Sequence, residues 1–208
     1  MTLFLGDNLE CTLGQYIIFK KLSFAVASGE ILIIRGPNGS GKSSLIRIIA
    51  GLLKPTNGSI KWENIWTSRE REKYKLRFHY VGHQEAIKPS LTVLENLTFW
   101  ANIYGGKQDL NSRVDHALRA FNISDIINIP VSYLSAGERR RTAISRILTC
   151  SAKVWLLDEP TATLDKNSII SLRNVINSHC SRGGIVVMST HTPSIDKNAR
   201  VIDMAQFH

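Results

Sequence analysis

Gly36-Pro37-Asn38-Gly39-Ser40-Gly41-Lys42-Ser43, continued by Ser44, decides how this chain is read. It satisfies the pattern G-x-x-x-x-G-K-[ST] at every fixed position. The apolar run Ile31-Leu32-Ile33-Ile34 ahead of it reads as a buried strand, and Ser44-Leu45-Ile46-Arg47-Ile48-Ile49-Ala50 behind it as a helix. Glycines let successive N–H groups curl around phosphate oxygens, and the new helix adds its positive end. Lys42 is placed to meet the β- and γ-phosphates of a nucleotide, and the Ser43 hydroxyl to coordinate Mg²⁺.

Working outward, the 208 residues suffice for one substantial core or a core with an inserted subdomain. Apolar content of 43% and charged content of 21% are ordinary for a globular chain. No apolar run approaches the ~18–20 residues that span a bilayer. Met1 to Asp7 carry no basic region, so no secretory signal is expected. Cys11, Cys150 and Cys180 are an odd, widely spaced set, read as buried reduced thiols of a cytosolic protein. His79 and His83 fall on a strand-like run, too far apart to share a metal. The net charge of +9 invites a nucleic-acid or anionic-lipid partner. The basic residues are dispersed, however. Arg69 to Lys73 alternates in sign, and Arg139-Arg140-Arg141 is short, so no direct nucleic-acid contact is expected.

Tyr16-Ile17-Ile18-Phe19 and Leu22-Ser23-Phe24-Ala25-Val26 read as short strands of an N-terminal antiparallel layer. Lys54 to Gly58 is a stop-and-turn signal, after which Ser59 to Trp62 and Phe78 to Gly82 read as strands. From Pro89 to Cys150 the period lengthens to 3.6. Leu91, Leu94, Leu97, Trp100 and Ala101 share one helical face, and Val114, Leu118 and Phe121 another. Val154 to Asp158 and Gly184 to Ser189 read as central parallel strands, with a helix over Lys166 to Cys180 between them and a last strand at Arg200 to Met204. The expected fold is α/β: a P-loop, RecA-like, mostly parallel sheet with an antiparallel β layer and an inserted helical subdomain. It forms one domain over 1–208, with a nucleotide-binding core of 1–88 and 151–208 and a helical part of 89–150.

Two further motifs carry chemistry. Asp158 and Glu159 end a buried apolar strand, where a carboxylate is costly without a task. Asp158 suits the Mg²⁺ shell, and Glu159 the orientation of an attacking water. Leu134-Ser135-Ala136-Gly137-Glu138 reads as a helix start, with Ser135 as N-cap and Glu138 completing a capping box. Gly137 leaves that backbone open, so a second phosphate-binding end is expected there.

Leu134 to Glu138 resembles the signature motif of ATP-binding-cassette (ABC) ATPases, and the family's other motifs stand in order around it. Gln84 resembles the Q-loop glutamine that senses Mg²⁺, Thr163-Leu164-Asp165 the D-loop, and His191 the switch histidine at the γ-phosphate. Val81-Gly82-His83-Gln84-Glu85-Ala86-Ile87-Lys88-Pro89-Ser90-Leu91-Thr92 and Glu95-Asn96-Leu97 are similar to the cytochrome c biogenesis ATPases, the ATP-binding subunits of haem exporters. The resemblance implies ATP and Mg²⁺ as ligands and a head-to-tail homodimer. It also implies separate transmembrane permease subunits and a peripheral place on the cytoplasmic side of the inner membrane. The implied catalytic set is Lys42, Glu159 and His191. ATP would lie on Gly36 to Ser44 with Gln84, Ser135 and Gly137, and the metal on Ser43, Gln84 and Asp158. The family's adenine-stacking aromatic falls near Leu13, and the nearest aromatic here is Tyr16. Other small ABC exporters, soluble ABC ATPases acting on nucleic acid or the ribosome, and P-loop nucleotide kinases are the competing readings.

Overall fold

A computed structural model describes residues 3–62, 65–66, 78–105, 109–190 and 199–207. By density of internal contact the chain divides into two compact units. One comprises residues 1–80, 153–159 and 179–208, the other 81–152 and 160–178.

The first unit holds two sheets. The antiparallel sheet has the order β2-β1-β4-β5, from β1 (Leu3–Leu13), β2 (Tyr16–Ala27), β4 (Asn57–Trp62) and β5 (Ile65–Trp66). The second sheet has the order β6-β7-β8-β3-β9, from β3 (Ile31–Arg35), β6 (Phe78–Val81), β7 (Val154–Leu157), β8 (Ile185–Ser189) and β9 (Arg200–Asp203). β3 pairs in parallel with both β8 and β9, and β7 in parallel with β8. Helix α1 (Lys42–Ile49) follows β3, and Leu45, Ile46 and Ile49 join a core built from both sheets. Phe4, at the centre of that core, meets Phe24, Trp62 and Phe78 in tilted pairs with centroids 5.4, 5.8 and 5.8 Å away. This is the offset geometry that ring quadrupoles favour.

The two short strands expected at 16–19 and 22–26 are one long strand, and its partner β1 carried no expectation at all. The cause is the same in both. Phe19 points inward on odd phase, whereas Leu22, Phe24 and Val26 point inward on even phase. Lys21, at φ 55, absorbs the extra residue. In β1 the phase runs from Phe4 to Leu9 and Cys11, with Asn8 at φ 47 and register shifts between Gly6 and Thr12. A bulge inserts one residue and so reverses which face every later side chain takes.

The second unit is helical: α2 (Val93–Gly105), α3 (Leu110–Ala120), α4 (Ala136–Ser145) and most of α5 (Lys166–Ser181). In α2 the buried stripe is Val93, Leu97 and Ala101, spaced by four, while Leu94 is exposed and Leu91 precedes the helix. α3 buries Val114 and Leu118 as expected, and Phe121 caps its end. Of the cysteines only Cys11 is fully buried; Cys150 and Cys180 are half-buried, and no disulfide is present among the described residues. Burial raises the Cys150 thiol to about 11, which keeps it protonated. The run 69–73 lies outside the described residues.

The end of α5 is fastened within the first unit by His179. Its ring stacks on Trp155 at 3.7 Å, and Nε2 meets the carbonyl of Lys153 at 3.1 Å. A Cβ on Gly184 would stand 2.2 Å from that Nε2, so the close approach requires glycine. Desolvation brings the His179 pKa down from 6.5 to about 4. The folded state therefore favours the neutral ring. Its contribution is complete above the unfolded pKa and is lost as pH falls from 6.5 toward about 4. Urea midpoints measured across this range should fall with pH, and His179→Phe should remove that part of the slope. A slope unchanged in the variant would place the acid sensitivity elsewhere.

Candidate functional site

The phosphate loop hangs between β3 and α1. Gly41 ends it at φ 90, and an added Cβ would lie 2.5 Å from Ile18 Cγ2. Only glycine tolerates both the conformation and the contact. As the N-cap of α1, Gly41 offers no side-chain acceptor, so the first N–H groups of the helix are left for a ligand. Lys42 is buried, and its ammonium bridges the carbonyls of Gly36 and Pro37 at 2.9 Å each. Its positive charge is thereby fixed inside the loop.

Next to the loop, β7 delivers Asp158, which is 1% exposed. Asp158 Oδ1 accepts from Ser43 Oγ at 3.1 Å and from Ser189 Oγ at 2.7 Å. Ser189, ending β8, in turn accepts from the Glu159 N–H at 2.8 Å. Thr190 N–H donates to the carbonyl of Ile34 at 3.2 Å, tying β8 to β3 just before the loop. Glu159 sits at φ 48, a left-handed conformation that costs ~1–2 kcal/mol for a residue with a Cβ. The bond from its N–H to Ser189 holds it there. Its side chain lines a pocket of about 240 Å³ with Leu13, Ile18, Asn38, Gly39, Gly41, Lys42, Ser43 and Ser44. Leu13 and Ile18 make an aliphatic wall. Tyr16 is 78% exposed and stays off it.

In the second unit Ser135 caps α4 with the complete box. Glu138 N–H donates to Ser135 Oγ at 3.3 Å, and Ser135 N–H and Oγ donate to Glu138 Oε2 at 2.8 and 2.7 Å. The bond from the Ser135 hydroxyl, then that from its N–H, holds the Glu138 carboxyl below its usual value. Ser135 and Ala136 are exposed, and Gly137 is half-buried, 3.5 Å by its would-be Cβ from the Thr163 carbonyl. Thr163 is a β-branched residue at φ 63, an outlier that marks its loop as strained. Asp165 caps α5 through Ser168 N–H at 2.7 Å and pairs with Arg141 at 3.6 Å. Gln84 is exposed on the turn after β6. His191 lies outside the described residues.

Thus Gly36 to Ser44, Asp158 and Glu159 come together in one unit, while Gln84, Ser135 and Gly137 belong to the other. Ser189 and Ile18 were not foreseen, whereas Leu13 is the position at which the sequence lacks the family's aromatic. A serine closing an otherwise apolar strand beside Asp158 was the available signal for Ser189.

A phosphate loop between a parallel strand and a helix, with an acid ending another strand of the same sheet, defines a P-loop nucleotide-binding protein. The ABC transporter family profile matches residues 19–162. Relatives named cytochrome c biogenesis ATP-binding export protein CcmA are similar along nearly the whole chain. That of Paramagnetospirillum magneticum is 43% identical, covering 98% of this chain and 94% of its own. That of Rhodospirillum rubrum is 43% identical over 99% and 87%, and that of Rhizobium meliloti 40% over 98% and 98%. Among solved structures, a dimeric post-hydrolysis state of an ATP-binding cassette bound to ADP and Pi matches with TM-score 0.81 at 28% identity, covering 96% of this chain and 93% of that one. An ATP-binding subunit of an ABC transporter matches with TM-score 0.82 at 26% identity, covering 91% and 79%. The chain belongs to the ABC transporter family and, within it, to the cytochrome c biogenesis ATP-binding proteins. It is an ATP-binding subunit that hydrolyses ATP, most like CcmA.

Ser189→Ala removes one of the two hydroxyls on Asp158 and the acceptor that holds Glu159. Urea unfolding should register a loss of about 1–3 kcal/mol for the unpaired buried groups. ATP turnover should fall about tenfold or more, with nucleotide affinity changed less. Wild-type turnover at normal stability would mean that Ser189 does not position Glu159.

Proposed function

We propose that the protein powers a cytochrome c biogenesis and haem-export complex, working as a head-to-tail homodimer on separate transmembrane permease subunits. Its place would be the cytoplasmic face of the inner membrane, held there by the permease. None of the described helices is long and apolar enough to cross a membrane. The observation that carries the reading is the exposed start of α4. Ser135 and Ala136 present a helix N-terminus to solvent in a chain that already has a complete phosphate cradle of its own. A helix N-terminus suits an anion, and a second copy can bring its own phosphate there. Support also comes from the cassette in the ADP and Pi complex, which is a dimer.

In this reading the phosphates of ATP lie along the amides of Gly36 to Ser44, with the base against Leu13 and Ile18. Ser43 Oγ and Asp158 Oδ1 are two hard oxygen donors already directed at one another beside the loop, a set that fits Mg²⁺. Held there, Mg²⁺ would supply positive charge against the phosphate oxygens. Lys42 adds a charge that needs no reorganisation. Glu159 accepts the proton of the water that attacks the γ-phosphorus in line with the departing ADP oxygen. Ser135 and Gly137 of the second copy close over the γ-phosphate, His191 registers its presence, and Gln84 senses the Mg²⁺. Closure on ATP and opening after hydrolysis then drive the permease. Phe99 and Ile103, four apart on α2 and both more than half exposed, give the helical unit an apolar face for it.

A nucleic-acid role loses its strongest feature. Arg140 is buried, Arg141 faces Asp165, and Arg139 lies 3.7 Å from Glu85. Tagged Glu159→Gln, drawn with ATP from gently solubilised membranes, should bring a multispanning membrane protein and turn over ATP at least about a hundredfold more slowly. Wild-type turnover would sink the role of Glu159. Ribosomal or nucleic-acid partners in place of the membrane protein would sink the coupling.

A further inference from the structure

Residues 82–88 form neither helix nor strand, so the backbone polar groups of this segment must find partners elsewhere. Three buried side chains supply partners at Gly82, Ala86 and Lys88. Arg140 Nη1 donates to the Gly82 carbonyl at 3.1 Å and Arg146 Nη1 to the Ala86 carbonyl at 3.3 Å. Asn96 accepts from Lys88 N–H at 2.7 Å and returns Nδ2 to the carbonyls of Lys88, Leu91 and Thr92 at 3.1, 3.2 and 2.9 Å. Arg140, Arg146 and Asn96 are 3%, 2% and 2% exposed. Ala86 holds φ 50, a conformation that persists only where its surroundings impose it.

Each of these guanidinium groups gives up hydration on burial. The Trp100 ring, 4.3 Å from the Arg146 guanidinium carbon, returns part of that loss. What arginine offers over a shorter amide is reach combined with a rigid planar fork. Here that reach joins the segment around Gln84 to the helix that carries Ser135. Arg140 lies five residues beyond the Ser135 cap on one continuous helix, about 7.5 Å along its axis. Arg139, facing Glu85 at the surface, adds a weaker third link.

We propose that Arg140 and Arg146 are positioning residues that make the Gln84 segment part of the same rigid body as the signature helix. Gln84 and the Ser135–Gly137 phosphate-binding end then shift together, and neither responds to nucleotide alone. The proposal rests on the role given above to Gln84.

The test is a cycle of Gln84→Ala, Arg140→Ala and the double variant, with Arg140→Lys alongside, read by turnover at saturating ATP and by Mg²⁺ half-saturation. Arg140→Ala should reproduce the Gln84→Ala defect within about threefold, Arg140→Lys should recover part of it, and the double variant should be no worse than Gln84→Ala. Amide exchange in Arg140→Lys should quicken over 82–88 and at the first turn of α4 together, while the urea midpoint moves little. If Arg140→Ala does not fold, Arg140→Lys takes its place in the cycle. Defects that multiply in the double variant, or exchange that quickens in only one of the two segments, overturn the proposal. Wild-type turnover and Mg²⁺ dependence in Gln84→Ala overturn the role of Gln84 itself, and the proposal with it.

Discussion

The Asp158 carboxylate is the constraint on which the site depends. A carboxylate at 1% exposure, after four buried apolar residues of β7, forgoes several kcal/mol of hydration unless its partners are in place. Ser43 and Ser189 provide two of them on one oxygen. Those hydroxyls come from the helix after β3 and from the end of β8, so one group fixes the spacing of three strand ends. The same chain of bonds passes through Ser189 to the Glu159 backbone, and so aims the next carboxylate into the pocket. Parallel order places all of this at one edge, because parallel strands end on the same side of the sheet.

What the sequence made legible was local and repetitive in its own terms. The phosphate loop announces itself through residues with single uses: glycine for a positive φ, lysine for charge, serine for a hard oxygen. The capping box at Ser135 and Glu138 was readable for the same reason, since its bonds span three residues. Central strands β7 and β8 were legible as unbroken apolar runs. β1 was not, because Asn8 takes a left-handed turn and the inward phase changes between Phe4 and Leu9. Lys21 hid the unity of β2 in the same manner. The stack of His179 on Trp155 joins residues 24 apart in sequence (179 − 155 = 24), a contact set by the fold and not by any local pattern.

The arginines of α4 show how charge can mislead when it is counted along a chain. Three in succession suggest a basic surface, yet the helix turns each to a different neighbour. Arg139 faces Glu85, Arg140 the Gly82 carbonyl, and Arg141 Asp165. A helix separates consecutive side chains by about 100°, so a basic triplet on it is three separate contacts. The pocket wall proposed for the base is a departure of the opposite kind. Leu13 and Ile18 offer area without a ring, so under the proposed function affinity would fall more heavily on the phosphates.

The most direct test of this account is calorimetric titration of ADP into wild type and Asp158→Asn, each with Mg²⁺ and with chelator. Asp158 as a metal-side group expects the variant to lose the Mg²⁺-dependent gain in ADP affinity and to keep the metal-free affinity of wild type. An equal loss of affinity with and without Mg²⁺ would show that Asp158 only shapes the loop. It would contradict the proposal that Asp158 holds the metal with Ser43.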